Sequence, residues 1–220
     1  TTLWFQGEQT LSGDGRIVLS DVNAPDVDRL QNYVWMDGLD GSVAETLTIG
    51  DAVEIVGEGY VDAADTGDDI LLEGVIRADD GQLRARDLQA VEGTLAASDD
   101  GRLVLDTGVT LTERSTLQVG LSGADDASRA GRIDVTGRLE RTGTLELTLS
   151  DDFDAEIGDE FVILTATEGF SDTFDDYLGF TIADGKRFEP VDLDDNTFAV
   201  RVAEISNDLG AHGDFDLPLT

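Results

Sequence analysis

Side chains able to do chemistry are unevenly represented in this chain, and only the acids abound. Aspartate and glutamate number 48 against 14 lysines and arginines, with one histidine and no cysteine. Paired carboxylates about 5 to 9 Å apart perform glycosidase chemistry, but at this acid content close pairs arise from composition alone. A nucleophile, histidine and acid triad needs a histidine fixed by packing. The one present, His212, lies between Ala211 and Gly213 in a stretch that reads as linker. The glycine pairs Gly13-Asp14-Gly15 and Gly57-Glu58-Gly59 lack the third glycine and the helix start that cradle a phosphate, and their carboxylates would repel one. They read as turns. Absence of Cys removes thiol catalysis, disulfides and Cys-based zinc sites. The expectation is a protein without enzymatic activity.

Two binding chemistries remain. Calcium takes six to eight oxygens, and two acidic turns offer candidate ligands: Asp151, Asp152 and Asp154, and Asp192, Asp194 and Asp195 beside Asn196. Neither has the sixth-position Gly and distal Glu of an EF-hand loop, and the plainer reading of each is a solvated acidic turn. Aromatic rings near polar groups suit sugars, which makes Trp4, Tyr33 and Trp35 candidate ligand-binding residues. The plainer reading is that these rings cover the end of the core. Arg77, Arg84 and Arg86 near Asp79 and Asp80 resemble the calcium-plus-base pairing of polysaccharide lyases. Alternation, however, sets Arg84 and Arg86 opposite Leu83 and Ala85, on a solvent-facing, salt-bridged surface.

The formal net charge of −34 repels nucleic acid phosphates and anionic membranes, so neither is expected as a partner. Screening at about 3 Å in 1 M salt removes most of the self-repulsion, which favours a saline or divalent-rich setting. Apolar runs such as Phe161-Val162-Ile163-Leu164 are far shorter than the ~20 residues of a membrane helix. The start at Thr1 without a signal-like segment suggests a processed product or a piece of something longer. Hydrophobic residues make up 40% of the chain, enough for a folded core.

The elements that would position these side chains are short strands. Glu73-Gly74-Val75-Ile76-Arg77-Ala78-Asp79-Asp80-Gly81-Gln82-Leu83 returns about 20 residues later as Glu92-Gly93-Thr94-Leu95-Ala96-Ala97-Ser98-Asp99-Asp100-Gly101-Arg102-Leu103, a period typical of stacked coils. Alternation marks Leu145-Glu146-Leu147-Thr148-Leu149, Leu117-Gln118-Val119-Gly120-Leu121, Leu103-Val104-Leu105, Ile133-Asp134-Val135 and Ile17-Val18-Leu19. Gly-Arg-Ile/Leu starts recur at Gly15, Gly101, Gly131 and Gly137. These patterns predict an all-β chain with a parallel β-solenoid (β-helix) over residues 1–150. Asp-Gly turns could equally make antiparallel hairpins, so an antiparallel β-sandwich is the alternative.

Val22 to Asp40 breaks the pattern, with Pro25 in a turn and the Tyr33-Val34-Trp35-Met36 cluster capping an end or projecting as a loop. Gly123 to Ala130 reads as a polar loop with one possible helical turn at its Asp-Ala-Ser. Phe153, Phe161, Phe170, Phe174, Tyr177, Phe180, Phe188 and Phe198 crowd the last third, which predicts a C-terminal aromatic-rich β cap module over 151–206. Residues 207–220 read as a linker or subunit-pairing tail.

Residues 70 to 150, followed by Ile157-Gly158-Asp159-Glu160-Phe161-Val162-Ile163-Leu164 and Gly169-Phe170-Ser171-Asp172-Thr173-Phe174, resemble the solenoid repeats and closing segment of autotransporter-like bacterial surface proteins. Leu11-Ser12-Gly13-Asp14-Gly15 and Leu47-Thr48-Ile49-Gly50-Asp51 resemble coils of the same repertoire. Asp172 departs from the family pattern, which has Gly before Thr-Phe, and implies a different turn there. The resemblance implies an extracellular or cell-surface, non-enzymatic structural module, a repeat-built piece of surface or matrix that could assemble into filaments with other copies of itself. A carbohydrate-binding adhesin, with surface polysaccharide as partner, is the alternative, and a polysaccharide lyase or hydrolase a further one. No cofactor is certain; Ca2+ is the candidate.

Overall fold

A computed structural model of the chain describes residues 2–20, 32–37, 44–63, 67–122, 130–151 and 153–205. The features expected at 23–31, at 123–129, at Asp152, at His212 and in the 207–220 tail lie outside the described residues. Among the described residues the protein is all-β, with 22 strands and no helix.

Pairing is mostly parallel, and the chain visits three ladders of strands in rotation. The first circuit is β1 (Thr2–Gln6), β2 (Gln9–Leu11) and β3 (Gly15–Leu19). The second is β4 (Tyr33–Asp37), β5 (Thr46–Ile49) and the first half of β6 (Val53–Ala63); β6 runs on into the third with β7 (Asp69–Leu72) and the first half of β8 (Val75–Ala85), and β8 runs on into the fourth with β9 (Leu88–Val91). Shorter strands follow: β10 (Thr94–Ala97), β11 (Arg102–Leu105), β12 (Val109–Thr110), β13 (Thr116–Leu121), β14 (Arg132–Val135), β15 (Leu139–Glu140) and β16 (Thr144–Leu149). The last parallel members are β17 (Glu160–Ala166), β18 (Phe170–Ser171) and β19 (Asp176–Leu178).

One ladder contains β3, the first half of β6, the first half of β8, β10, β13, β16 and β19. A second contains β1, β4, the later halves of β6 and β8, β11, β14 and β17. The third runs β2, β5, β7 and β9, and resumes as β12, β15 and β18 through a bridge from Val91 to Leu111. Because β6 and β8 pass unbroken between two ladders, those two merge into one curled 15-stranded sheet.

Antiparallel pairing is concentrated at the C-terminal side, where β20 (Thr181–Ile182), β21 (Lys186–Asp194) and β22 (Thr197–Glu204) attach to β17. The Asp-Gly turns of the repeat do not fold back as hairpins. Val75-Ile76-Arg77-Ala78 lies parallel to Thr94-Leu95-Ala96-Ala97, and Gln82-Leu83 parallel to Arg102-Leu103, so each copy of the repeat is the neighbour of the other.

Period-2 alternation sends one side of each strand into a shared core. Ile55, Ile76, Leu95, Leu117 and Leu145 follow one another in register and are fully buried. Leu83, Leu103, Ile133 and Leu164 do the same on the second ladder, and Ile49, Leu72 and Val91 on the third. Each such side chain contributes about 1.5–3 kcal/mol by burial. The three columns meet in one cluster.

Glycine is required where successive circuits touch. A Cβ on Gly93 would lie 2.1 Å from the Gly74 carbonyl oxygen, which explains why both copies of the repeat open on Glu-Gly. In β6, Gly57 has φ 115° and would place a Cβ 1.9 Å from the Leu19 oxygen, so the strand can turn from one ladder to the next only with Gly there. Asp172 adopts φ 59°, in the left-handed region that a glycine would favour.

Tyr33-Val34-Trp35-Met36-Asp37 is neither an end cover nor a projecting loop. It is β4, paired on both sides by β1 and β6. Val34 and Met36 are fully buried while Tyr33, Trp35 and Asp37 face outward. Aromatic residues on the outer face hide the alternation, because an apolar residue then stands at nearly every position.

The eight aromatic residues of the last third form one contact network. Phe153, Phe161, Phe188 and Phe180 meet edge-on or tilted at 5.7 to 6.3 Å between centroids, and Phe174 links Tyr177 to Phe198 at 6.1 Å. These offset geometries suit the ring quadrupoles.

Candidate functional site

The outer side of the second ladder sets four aromatic residues, Trp4, Tyr33, Trp35 and Tyr60, next to a dense arginine and aspartate pairing. Trp4 on β1 lies in register with Trp35 on β4, which in turn lies opposite Asp62 on β6. Trp4 is 62% exposed and Trp35 partly so. One step along the strands, Tyr33 stacks on Tyr60 with centroids 4.9 Å apart and planes 22° from parallel, and meets Trp35 edge-on at 5.7 Å. The structure therefore brings Trp4, Tyr33 and Trp35 together and adds Tyr60. The repeated Tyr-Val dipeptide, Tyr33-Val34 and Tyr60-Val61, was the legible sign of that addition, since the two dipeptides pair in register.

Beyond the rings the strip becomes polar. Arg84, next in register after Tyr60, donates through Nε to Asp106 Oδ2 at 3.0 Å and through Nη2 to Asp106 Oδ1. That paired hydrogen bond, with Tyr60 adding to it, raises the Arg84 pKa against the opposing effect of burial. Arg86 lies 3.5 Å from Asp62 and 4.0 Å from Asp106. Asp62 is buried, and its Oδ1 has no hydrogen-bond partner among the described residues. Burial pushes its carboxyl above the ordinary range; Arg86 opposes this, while Asp87 and Asp106 reinforce it.

Further along the same ladder Arg102 and Arg132 stand in register and share Asp134, with Nε donors at 2.5 and 2.6 Å. Thr165 Oγ1 also donates to Asp134. Burial would raise the Asp134 pKa, but these three hydrogen bonds outweigh it and hold the carboxyl below its ordinary range. The Gly-Arg-Ile/Leu starts thus serve different places: two meet at Asp134, Arg16 pairs with Glu54 on β6, and Gly137-Arg138-Leu139 enters β15 on the third ladder.

The acidic turns are placed differently. Asp192 receives Arg141 Nη1 at 2.6 Å, and Asp194 Oδ1 accepts the Asn196 backbone N–H at 2.8 Å. Asp195 contributes a backbone carbonyl to Phe170 N–H. Among the described residues no three Asp, Glu, His or Cys side chains are arranged to hold a metal ion. Asp151 and Asp154 are described, but Asp152 between them is not.

Arg141 is a residue that sequence reasoning passed over. It is 7% exposed, donates Nε to the Asp172 carbonyl at 3.2 Å, and sits 4.8 and 5.3 Å from the ring centres of Phe170 and Phe198. It joins the parallel ladders to the antiparallel strands.

Arg77, Arg84 and Arg86, the arginines singled out in the sequence, each face a carboxylate. No membrane-length apolar helix occurs among the described residues. No protein-family model and no curated protein matches this chain.

Proposed function

We propose that the chain is a non-catalytic β-solenoid module of an extracellular surface or matrix protein, of the autotransporter-like kind its repeats resemble. The observation that carries this reading is the threefold rotation of the chain through in-register parallel ladders, with Ile55, Ile76, Leu95, Leu117 and Leu145 aligned in one column. Such stacking makes each circuit depend on its neighbours and yields an elongated body. Ladder-spanning ion pairs match part of the acidic surface, and the self-repulsion of the remaining negative charge is least in saline surroundings. Electron microscopy of the purified chain in about 1 M salt tests it: filaments indicate a self-assembling polymer, discrete short rods a spacer, and round particles contradict the solenoid.

A second reading, a polysaccharide-binding adhesin, is favoured by one specific observation. Trp4 and Trp35 occupy the same register position on adjacent strands, facing outward beside Tyr33 and Tyr60. A glycan array on the purified chain tests this reading. The lyase or hydrolase reading has less support, because the arginines it needs are engaged with carboxylates.

A further inference from the structure

We infer that the outer strip of β1, β4, β6 and β8 binds a neutral polysaccharide laid across the strands, in the direction in which they stack. The inference rests on the adhesin reading and adds the ligand class, its direction and its polar contacts.

Direction follows from register. Trp4 and Trp35 form one column across the strands, ending at Asp62; Tyr33 and Tyr60 form the next, ending at Arg84. Columns repeat every ~4.8 Å from strand to strand, whereas outward side chains along one strand are ~6.7 Å apart. Rings therefore succeed one another most closely across the strands, and an extended glycan running that way meets the aromatic side chains, with Trp4 the most exposed, before it meets the half-exposed Arg84 and Arg86. Flat apolar sugar faces pack on the former, and ring hydroxyls accept from the two guanidinium groups.

Ligand class follows from charge. Both guanidinium groups of the strip are already matched, Arg84 to Asp106 and Arg86 to Asp62 and Asp106. A carboxylate or sulfate on the ligand would find no unmatched cation here and would approach a chain of net charge −34. A hydroxyl can accept from the exposed edge of either guanidinium without adding charge, whereas Asp62 and Asp106 lie too deep to serve as its partners. Peptides rich in proline also stack on Trp and Tyr, but they favour aromatic-lined grooves, and these rings stand side by side on the face of a sheet.

Affinity electrophoresis at fixed salt decides the matter, with hydroxyethylcellulose, laminarin, polygalacturonate and poly-L-proline in separate gels. The expected result is retardation by at least one of the two neutral glucans and none by polygalacturonate or poly-L-proline. Trp4→Ala should weaken retardation about tenfold or more, the effect of deleting an interface aromatic. Arg84→Gln should weaken it severalfold, and Val18→Ala, an equally exposed apolar change on another ladder, should leave it unchanged. Circular dichroism melts establish that each variant is folded. Retardation by polygalacturonate as strong as by the glucans would overturn the neutral class while sparing the adhesin reading. Neutral-glucan binding indifferent to both Trp4→Ala and Arg84→Gln would overturn the assigned strip. Binding of poly-L-proline alone, or of nothing, would overturn the adhesin reading and the inference together.

Discussion

Ile76 and Leu95 lie directly opposite one another on the parallel strands β8 and β10, both fully buried. This pairing turns the chain's internal repeat into structure: residues equivalent in the two copies become spatial neighbours. Removing one of them should open a cavity that the flanking circuits cannot close. Leu95→Ala is expected to destabilise by about 2–5 kcal/mol, read as a lower denaturation midpoint in urea, whereas a loss under ~0.5 kcal/mol would mean that the column is not continuous.

Backbone contact between circuits is tested at glycine. Gly93→Ala would drive a methyl group into the Gly74 carbonyl, while a Cβ on Gly15 meets nothing within 4 Å. The first substitution should cost about 1–3 kcal/mol as overpacking and the second no more than ~0.5 kcal/mol. Equal effects in thermal melts would contradict the stacked corner.

How much of this was legible beforehand depends on which face of a strand carried the signal. Leu145-Glu146-Leu147 and Leu117-Gln118-Val119 alternate cleanly because polar residues mark the outer face, and both are strands with the expected sides buried. Tyr33 to Asp37 was missed as a strand because its outer face is aromatic. The parallel direction could not be read from Asp100-Gly101, since the same dipeptide closes hairpins; it emerges from long-range register. The aromatic strip was half visible: Trp4, Tyr33 and Trp35 stood out by type, but only pairing puts Tyr60, Asp62 and Arg84 beside them. Arg141 carried no sequence signal, because its partners Asp192, Phe170 and Phe198 come from distant segments.

The Arg141 site predicts a division between charge and shape. Arg141→Lys keeps the charge but loses the planar group lying over Phe170 and Phe198 and the geometry of the donors to Asp172 and Asp192. It should still cost about 1–2 kcal/mol. Arg141→Ala, which uncovers the two rings and takes the donor from the Asp172 carbonyl while the half-exposed Asp192 returns to solvent, should cost more, about 2–4 kcal/mol. Hydrogen exchange should speed up first in β21 and β22, and uniform acceleration across all ladders would argue against a local clamp.

Asp134 and Asp62 predict opposite pH trends. The Asp134 carboxyl is held below its unfolded value, so its stabilisation is present above the unfolded pKa of about 3.9 and is lost as pH falls through the lower folded value. Asp134→Asn should therefore destabilise at pH 7 by about 1–3 kcal/mol and flatten the acid side of the stability curve. Asp62 is raised by burial, so its contribution favours folding at acid pH and declines as pH rises through its folded value. Asp62→Asn should flatten that decline; a steeper one would contradict the assignment.

The central claim, that successive circuits stack strand upon strand, is tested most directly by distances between spin labels, since the chain has no native cysteine. Arg16, Glu54, Val75, Thr94, Thr116, Thr144 and Asp176 occupy one register column. With one label at Arg16→Cys and the second at Thr116→Cys, Thr144→Cys or Asp176→Cys, pulsed electron resonance should give backbone separations of about 19, 24 and 29 Å, one strand spacing per step. Distances that fail to increase from Thr116 through Thr144 to Asp176 would contradict the stacked architecture and everything built on its outer face.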